Sequence, residues 1–116
     1  MFFLNNKRNI ALYRASRLIV EANPNPDQYT KIGQNSFLRT IYSGFKAGIT
    51  DFDNKVEAMS NLEMTSVLRK CSNFDKRSIA ETLSSAFHYT SHAPESYQVL
   101  MDIVFECDIP RNYLTI

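Results

Sequence analysis

Apolar residues recur along most of this chain at intervals of three and four, the spacing of an amphipathic helix. The first such stretch runs from Lys7 to Ala22. Ile10, Ala11, Leu12, Ala15, Leu18 and Ile19 share one broad face, and Lys7, Arg8, Arg14, Arg17 and Glu21 take the other. Asn23-Pro24-Asn25-Pro26 ends it, because each proline disfavours helical geometry in the residue before it. A second helix is predicted from Pro26 or Asp27 to about Phe45, with Tyr29, Ile32, Phe37, Leu38, Ile41, Tyr42 and Phe45 as its apolar stripe. Gly44 and Gly48 mark its end.

Asp51 reads as the N-cap of a short helix carrying Phe52, Val56 and Met59. Ser60-Asn61-Leu62-Glu63 fits a capping box, so a helix that buries Leu62, Val67, Leu68 and Cys71 is expected to begin there. The pattern leaves open whether residues 51–71 form one kinked helix or two. Ser72-Asn73-Phe74-Asp75 starts another helix, which reaches about Tyr89 and groups Ile79, Leu83, Ala86 and Phe87. The last runs from Pro94 to about Cys107 with Tyr97, Leu100, Met101, Val104 and Phe105. Pro110 closes it, and the apolar tail Tyr113–Ile116 is expected to fold back. No segment alternates as a strand would.

A shift of 68 residues superposes two segments. Pro26-Asp27-Gln28-Tyr29 falls on Pro94-Glu95-Ser96-Tyr97. Ala15, Leu18 and Ile19 fall on Leu83, Ala86 and Phe87, while Ile32 falls on Leu100 and Phe37 on Phe105. Two αα-hairpins completing one core account for such a repeat. The expected fold is therefore all-α: a compact bundle of five to six helices built from two pseudo-repeated hairpins, with residues 1–116 as one domain.

Composition agrees with this reading. The chain has 116 residues, 44% of them hydrophobic, and only 3 glycines and 4 prolines, fewer turn residues than all-β folds use. The formal net charge is +1; residues 1–58 carry 8 basic and 5 acidic side chains, residues 59–116 carry 5 and 7. Neither half has the basic field of a typical nucleic-acid binder, and the asymmetry favours head-to-tail association. Cys71 and Cys107 stand in no metal or redox spacing and read as buried, reduced thiols. Met1-Phe2-Phe3-Leu4 is too short for a secretory core, and no apolar run reaches the length of a membrane span. A cytoplasmic location is expected.

Few residues point to chemistry. His88 and His92 stand four apart, the helical spacing of a two-histidine metal pair, with Glu95 just beyond. The intervening residues lack the glutamate of a zinc-protease motif. Asp51-Phe52-Asp53-Asn54 with Glu57 fails the glycine and ligand spacing of a calcium loop. No serine sits on a glycine-flanked elbow, and three glycines cannot form a phosphate loop. Lys7, Arg8, Arg14 and Arg17 form a basic stripe, and Arg69, Lys70, Lys76 and Arg77 a second cluster. A helix-turn-helix over residues 60–90 would present Glu81, Ser84, Ser85 and His88 to bases, a poor reading set.

The run from Leu83 to Pro110, LSSAFHYTSHAPESYQVLMDIVFECDIP, resembles the closing hairpin of TerB-like (tellurite-resistance-type) proteins. That hairpin has an apolar helix, a small acidic turn, a Pro-acid helix start and an apolar helix ending in a Leu-Gly-Ile-Pro-like stop. Here the stop reads Cys107-Asp108-Ile109-Pro110. Leu18 to Phe37 looks like the same unit with a different turn. The resemblance covers about residues 10–110 and implies an all-helical fold with internal pseudo-symmetry and a bacterial stress-response setting. The family's turns carry Asp-Gly and a following Glu, a cluster suited to metal. Here they read Asn23-Pro24-Asn25-Pro26 and Ser91-His92-Ala93-Pro94, with acids only at Asp27 and Glu95.

The leading expectation is a non-enzymatic helical module that contacts a protein partner or a second copy through apolar ends, Phe2, Phe3, Tyr113 and Leu114. It needs no cofactor. One alternative is a divalent-metal sensor using Asp27, Glu95, His88 and His92. Another is a small nucleic-acid-binding regulator.

Overall fold

The computed structural model describes residues 2–116, with side chains from Asn6 onward. The chain forms α1 (Phe2–Glu21), α2 (Gln28–Phe45), α3 (Phe52–Ala58), α4 (Asn61–Arg69), α5 (Asn73–His88) and α6 (Pro94–Glu106), then a 3-10 turn at Arg111–Tyr113. The expected all-α bundle is thus a six-helix one.

α1 packs against each of the other five α-helices. Its central positions explain how. Ala11, Ala15 and Ser16 are fully buried, so neighbouring backbones approach closely on several sides. Ile10, Leu12, Ile19 and Val20 fill the spaces above and below. Around this seam lie Met64 and Leu68 of α4, Ile79, Ala80, Leu83 and Phe87 of α5, and Leu100, Ile103 and Val104 of α6. Val56 and Phe52 close the core from α3.

The basic residues of α1 bind these helices in place. Lys7 reaches Glu63 of α4 at 3.7 Å. Arg8 pairs with Asp75 at the start of α5 at 2.9 Å. Arg14 donates to Asn61 of α4 at 2.9 Å and to the Val56 carbonyl of α3 at 3.3 Å. Arg17 pairs with Glu57 of α3 at 2.8 Å. The second basic cluster also serves the fold. Arg69 donates to the Glu106 carbonyl, and the buried Lys76 ammonium donates to the Asp108 carbonyl at 3.0 Å. Both cations therefore sit where the α6 dipole is negative. Arg77 lies over the Tyr113 ring, 4.1 Å from its centre.

Several expectations need correction. Pro26 precedes α2 rather than opening it; Asp27 is the N-cap, its carboxylate accepting the Thr30 amide at 2.8 Å. Asp51 makes no side-chain cap: its φ is 58°, and its carboxylate accepts from Asn54 instead. Residues 51–71 form two helices, parted at Met59 and Ser60, with the Ser60 hydroxyl capping the Glu63 amide at 3.0 Å. Tyr29, Ile32, Leu62 and Phe105, all expected inside, are exposed. The hairpin register explains two of them. Burial in α1 and α5 does repeat at the 68-residue shift, as in Ala15 with Leu83, Ser16 with Ser84 and Ile19 with Phe87. In α2 and α6 the inward positions instead correspond at 66: Gln34 with Leu100, Phe37 with Ile103. Two fewer residues separate the core positions of the second hairpin, which turns Phe105 outward where Phe37 points in.

α6 ends in a Schellman turn: the Asp108 amide donates to the Phe105 carbonyl and the Ile109 amide to the Val104 carbonyl, at 3.2 and 3.0 Å. Asp108 holds φ at 56°, a left-handed conformation that glycine adopts without steric cost. Asp108→Gly is expected to stabilise the protein by about 0.5–1 kcal/mol, raising the melting temperature by a few degrees. An unchanged or lower melting temperature contradicts this reading of the turn.

Candidate functional site

The histidines of interest lie at the turn between α5 and α6, where local polar groups do the work of glycine. Thr90 is buried; its hydroxyl donates to the Phe87 carbonyl at 2.6 Å and accepts the Ala93 amide at 3.3 Å. Ser91 and His92 then occupy consecutive left-handed conformations, with φ of 57° and 61°. Such positions in non-glycine residues cost on the order of 1 kcal/mol each and persist only where their surroundings enforce them. The surroundings come from across the fold. The Asn23 amide, in the α1–α2 connection, donates to the Thr90 carbonyl at 3.2 Å and to Gln34 of α2 at 2.8 Å. Ser91 and Thr30 of α2 share a hydroxyl hydrogen bond of 2.9 Å.

This turn, rather than helical stacking, brings the histidines together. α5 stops at His88, and the backbone folds back so that His88 Nδ1 and His92 Nε2 stand 3.0 Å apart. The rings are nearly perpendicular, and His92 also sits edge-on to Phe87. His88 Nε2 lies 2.8 Å from the Thr115 carbonyl oxygen. A carbonyl only accepts, so His88 Nε2 carries hydrogen and donates. In a neutral His88 ring Nδ1 then accepts, and His92 Nε2 donates to it. The Thr115 amide in turn donates to Ser84 at 3.1 Å. The pair thereby ties the C-terminal segment to α5.

The other expected ligands are elsewhere engaged. The Asp27 carboxyl is held below the usual carboxylate range by its hydrogen bonds from Thr30. Glu95 lies exposed in the first turn of α6. Among the described residues no group of three or more His, Cys, Asp or Glu is arranged to hold a metal ion. A ligating histidine usually donates its second nitrogen to a carbonyl, as His88 does, but the pair lacks a third side-chain ligand. Tyr113 and Leu114 are half-buried against the core. The side chains of Phe2 and Phe3 lie outside the described residues. The Cys107 thiol is pushed up to about 11 by burial, and burial also raises Cys71, so neither thiol is poised as a nucleophile.

A second feature was not visible in the sequence because three helices build it. A cleft of about 600 Å³ lies between α1, α2 and α3, lined by Tyr13, Arg17, Arg39, Tyr42, Asp53 and Glu57 among others. Tyr13, Tyr42 and Phe52 meet edge to face, with centres 5.5–5.6 Å apart. The Tyr42 hydroxyl donates to Asp53 at 2.6 Å, and Arg17 is held by Glu57. Burial is the largest cause raising the Tyr13 pKa; for Tyr42 it is the bond to Asp53. Two polar pairs here, Arg17 with Glu57 and Tyr42 with Asp53, satisfy each other, and Arg39 lines the same aromatic-walled recess outside both pairs.

No described family, characterised protein or solved structure matches this chain.

His88→Ala removes both imidazole hydrogen bonds. It is expected to cost about 0.5–1.5 kcal/mol and to speed amide exchange at Thr115 ahead of exchange in α1. Equal protection of Thr115 in both proteins contradicts the tie.

Proposed function

We propose that the protein works without catalysis, as a helical module whose outer faces hold another protein chain. The carrying observation is the outer face of α6. Tyr97, Met101 and Phe105 follow one another at intervals of four, forming a ridge, and Phe105 is 86% exposed. A shallow recess beside it involves Met101, Val104, Ile109 and Arg111. Ridges of this spacing are what helix-mediated protein contacts use. Large side chains are exposed on other helices too, including Tyr29 on α2 and Phe74 on α5. The basic stripe of α1 is engaged with α3, α4 and α5, which weighs against its being a nucleic-acid surface. The TerB-like resemblance of residues 83–110 adds a bacterial stress-response setting to the proposal.

A photo-crosslinking amino acid at position 105, introduced in the native cell, is expected to yield discrete protein adducts. The same group at the exposed position 81 of α5 is expected to give none. No adduct at 105, or equal labelling at both positions, contradicts the proposal.

A further inference from the structure

Two helices on the outside of the bundle carry opposite and uncompensated charge. Between Gln28 and Phe45, α2 has Lys31 and Arg39 and no acid. Between Pro94 and Glu106, α6 has Glu95, Asp102 and Glu106 and no base. The ion pairs among the described residues join Lys7, Arg8 and Arg17 to Glu21, Glu57, Glu63 and Asp75, so none uses α2 or α6. Of the flanking charges, Asp27 caps α2 and Arg69 donates to the last carbonyl of α6. Arg111 meets a neutral group, the Tyr97 hydroxyl at 3.4 Å, so its charge offsets part of the acidic face but leaves it net negative.

The same two helices present apolar side chains to solvent. Tyr29 and Ile32 of α2 are 90% and 59% exposed, and Phe105 of α6 stands beside Met101. Each helix rests against α1, and the two do not pack along one another. The charges of one helix are therefore not matched by those of the other within a molecule, and the two faces are free to meet between molecules.

We propose that the chain self-associates head to tail, the basic outer face of α2 in one copy against the acidic α6 face of the next. Such a contact uses two different surfaces of the same chain. It leaves one α2 and one α6 free at the ends, so it closes into a ring or continues as a filament. Long-range attraction draws the faces together, and burial of Tyr29, Ile32 and Phe105 holds them. This inference rests on the reading that the outer faces bind protein, and it names the occupant.

The test is sedimentation velocity over a range of concentrations, at low and at high salt. The protein is expected to associate with rising concentration, and the association constant to fall by about tenfold or more between roughly 0.02 and 0.5 M salt. The double variant Lys31→Glu/Arg39→Glu has two acidic faces, and Asp102→Lys/Glu106→Lys has two basic ones. Each alone is expected to be monomeric with a near-native melting temperature. Mixed, they are expected to associate again, because each acidic face then meets a basic one. A protein that stays monomeric at every concentration overturns the inference. So does continued association of either variant alone, which means that a symmetric contact operates. A foreign chain crosslinked at position 105, with no association in the mixture, removes only the head-to-tail pairing and leaves the broader function intact.

Discussion

Ala11, Ala15 and Ser16 put almost no side-chain volume at the middle of α1, and the other helices can approach its backbone because of that. A leucine at any of these positions would push neighbours apart on more than one side, since overpacking a close-packed interior forces backbones to move. The seam is not uniformly satisfied. The Ser16 hydroxyl and Arg14 Nε are buried without a hydrogen-bond partner. The small volume of serine is what the position requires, and its polarity is a cost carried with it.

Electrostatics follows from the same geometry. A helix surrounded by others has little free surface for its charged residues, so those of α1 reach outward along the gaps and meet acids or carbonyls on three neighbours. Such partly exposed pairs contribute little energy singly, but they fix which helix lies in which gap. Charge that would otherwise form a continuous basic surface is thereby spent on the fold. Single charges such as Lys55 and Glu81 stay exposed on other helices, but α2 and α6, both on the periphery, each carry charge of one sign alone, beside exposed Tyr29 and Phe105.

Local rules made the helices legible. Ser60 and Ser72 each cap the helix that their spacing indicates, whereas the cap of α2 falls on Asp27, one residue past the proline expected to open it. Proximity of His88 and His92 was legible too, but for another reason than the spacing implies, because His92 lies beyond the helix end. What periodicity cannot convey is which apolar face finds a cover. Phe37 and Phe105 look equivalent in sequence, and a two-residue difference in the spacing between the core positions of the two hairpins buries one and exposes the other. Pairs such as Arg8 with Asp75, and a cleft walled by three helices, depend on how the helices assemble, and no local pattern encodes that.

All the other α-helices pack on α1, and α2 is anchored chiefly along the one side that faces it. Native-state amide hydrogen exchange tests this most directly. Amides from Ile10 to Val20 are expected to exchange only through global unfolding, while those of α2 open at least about 1–2 kcal/mol more easily. Amides of α2 as protected as those of α1, or α1 exchanging by local opening, would contradict it.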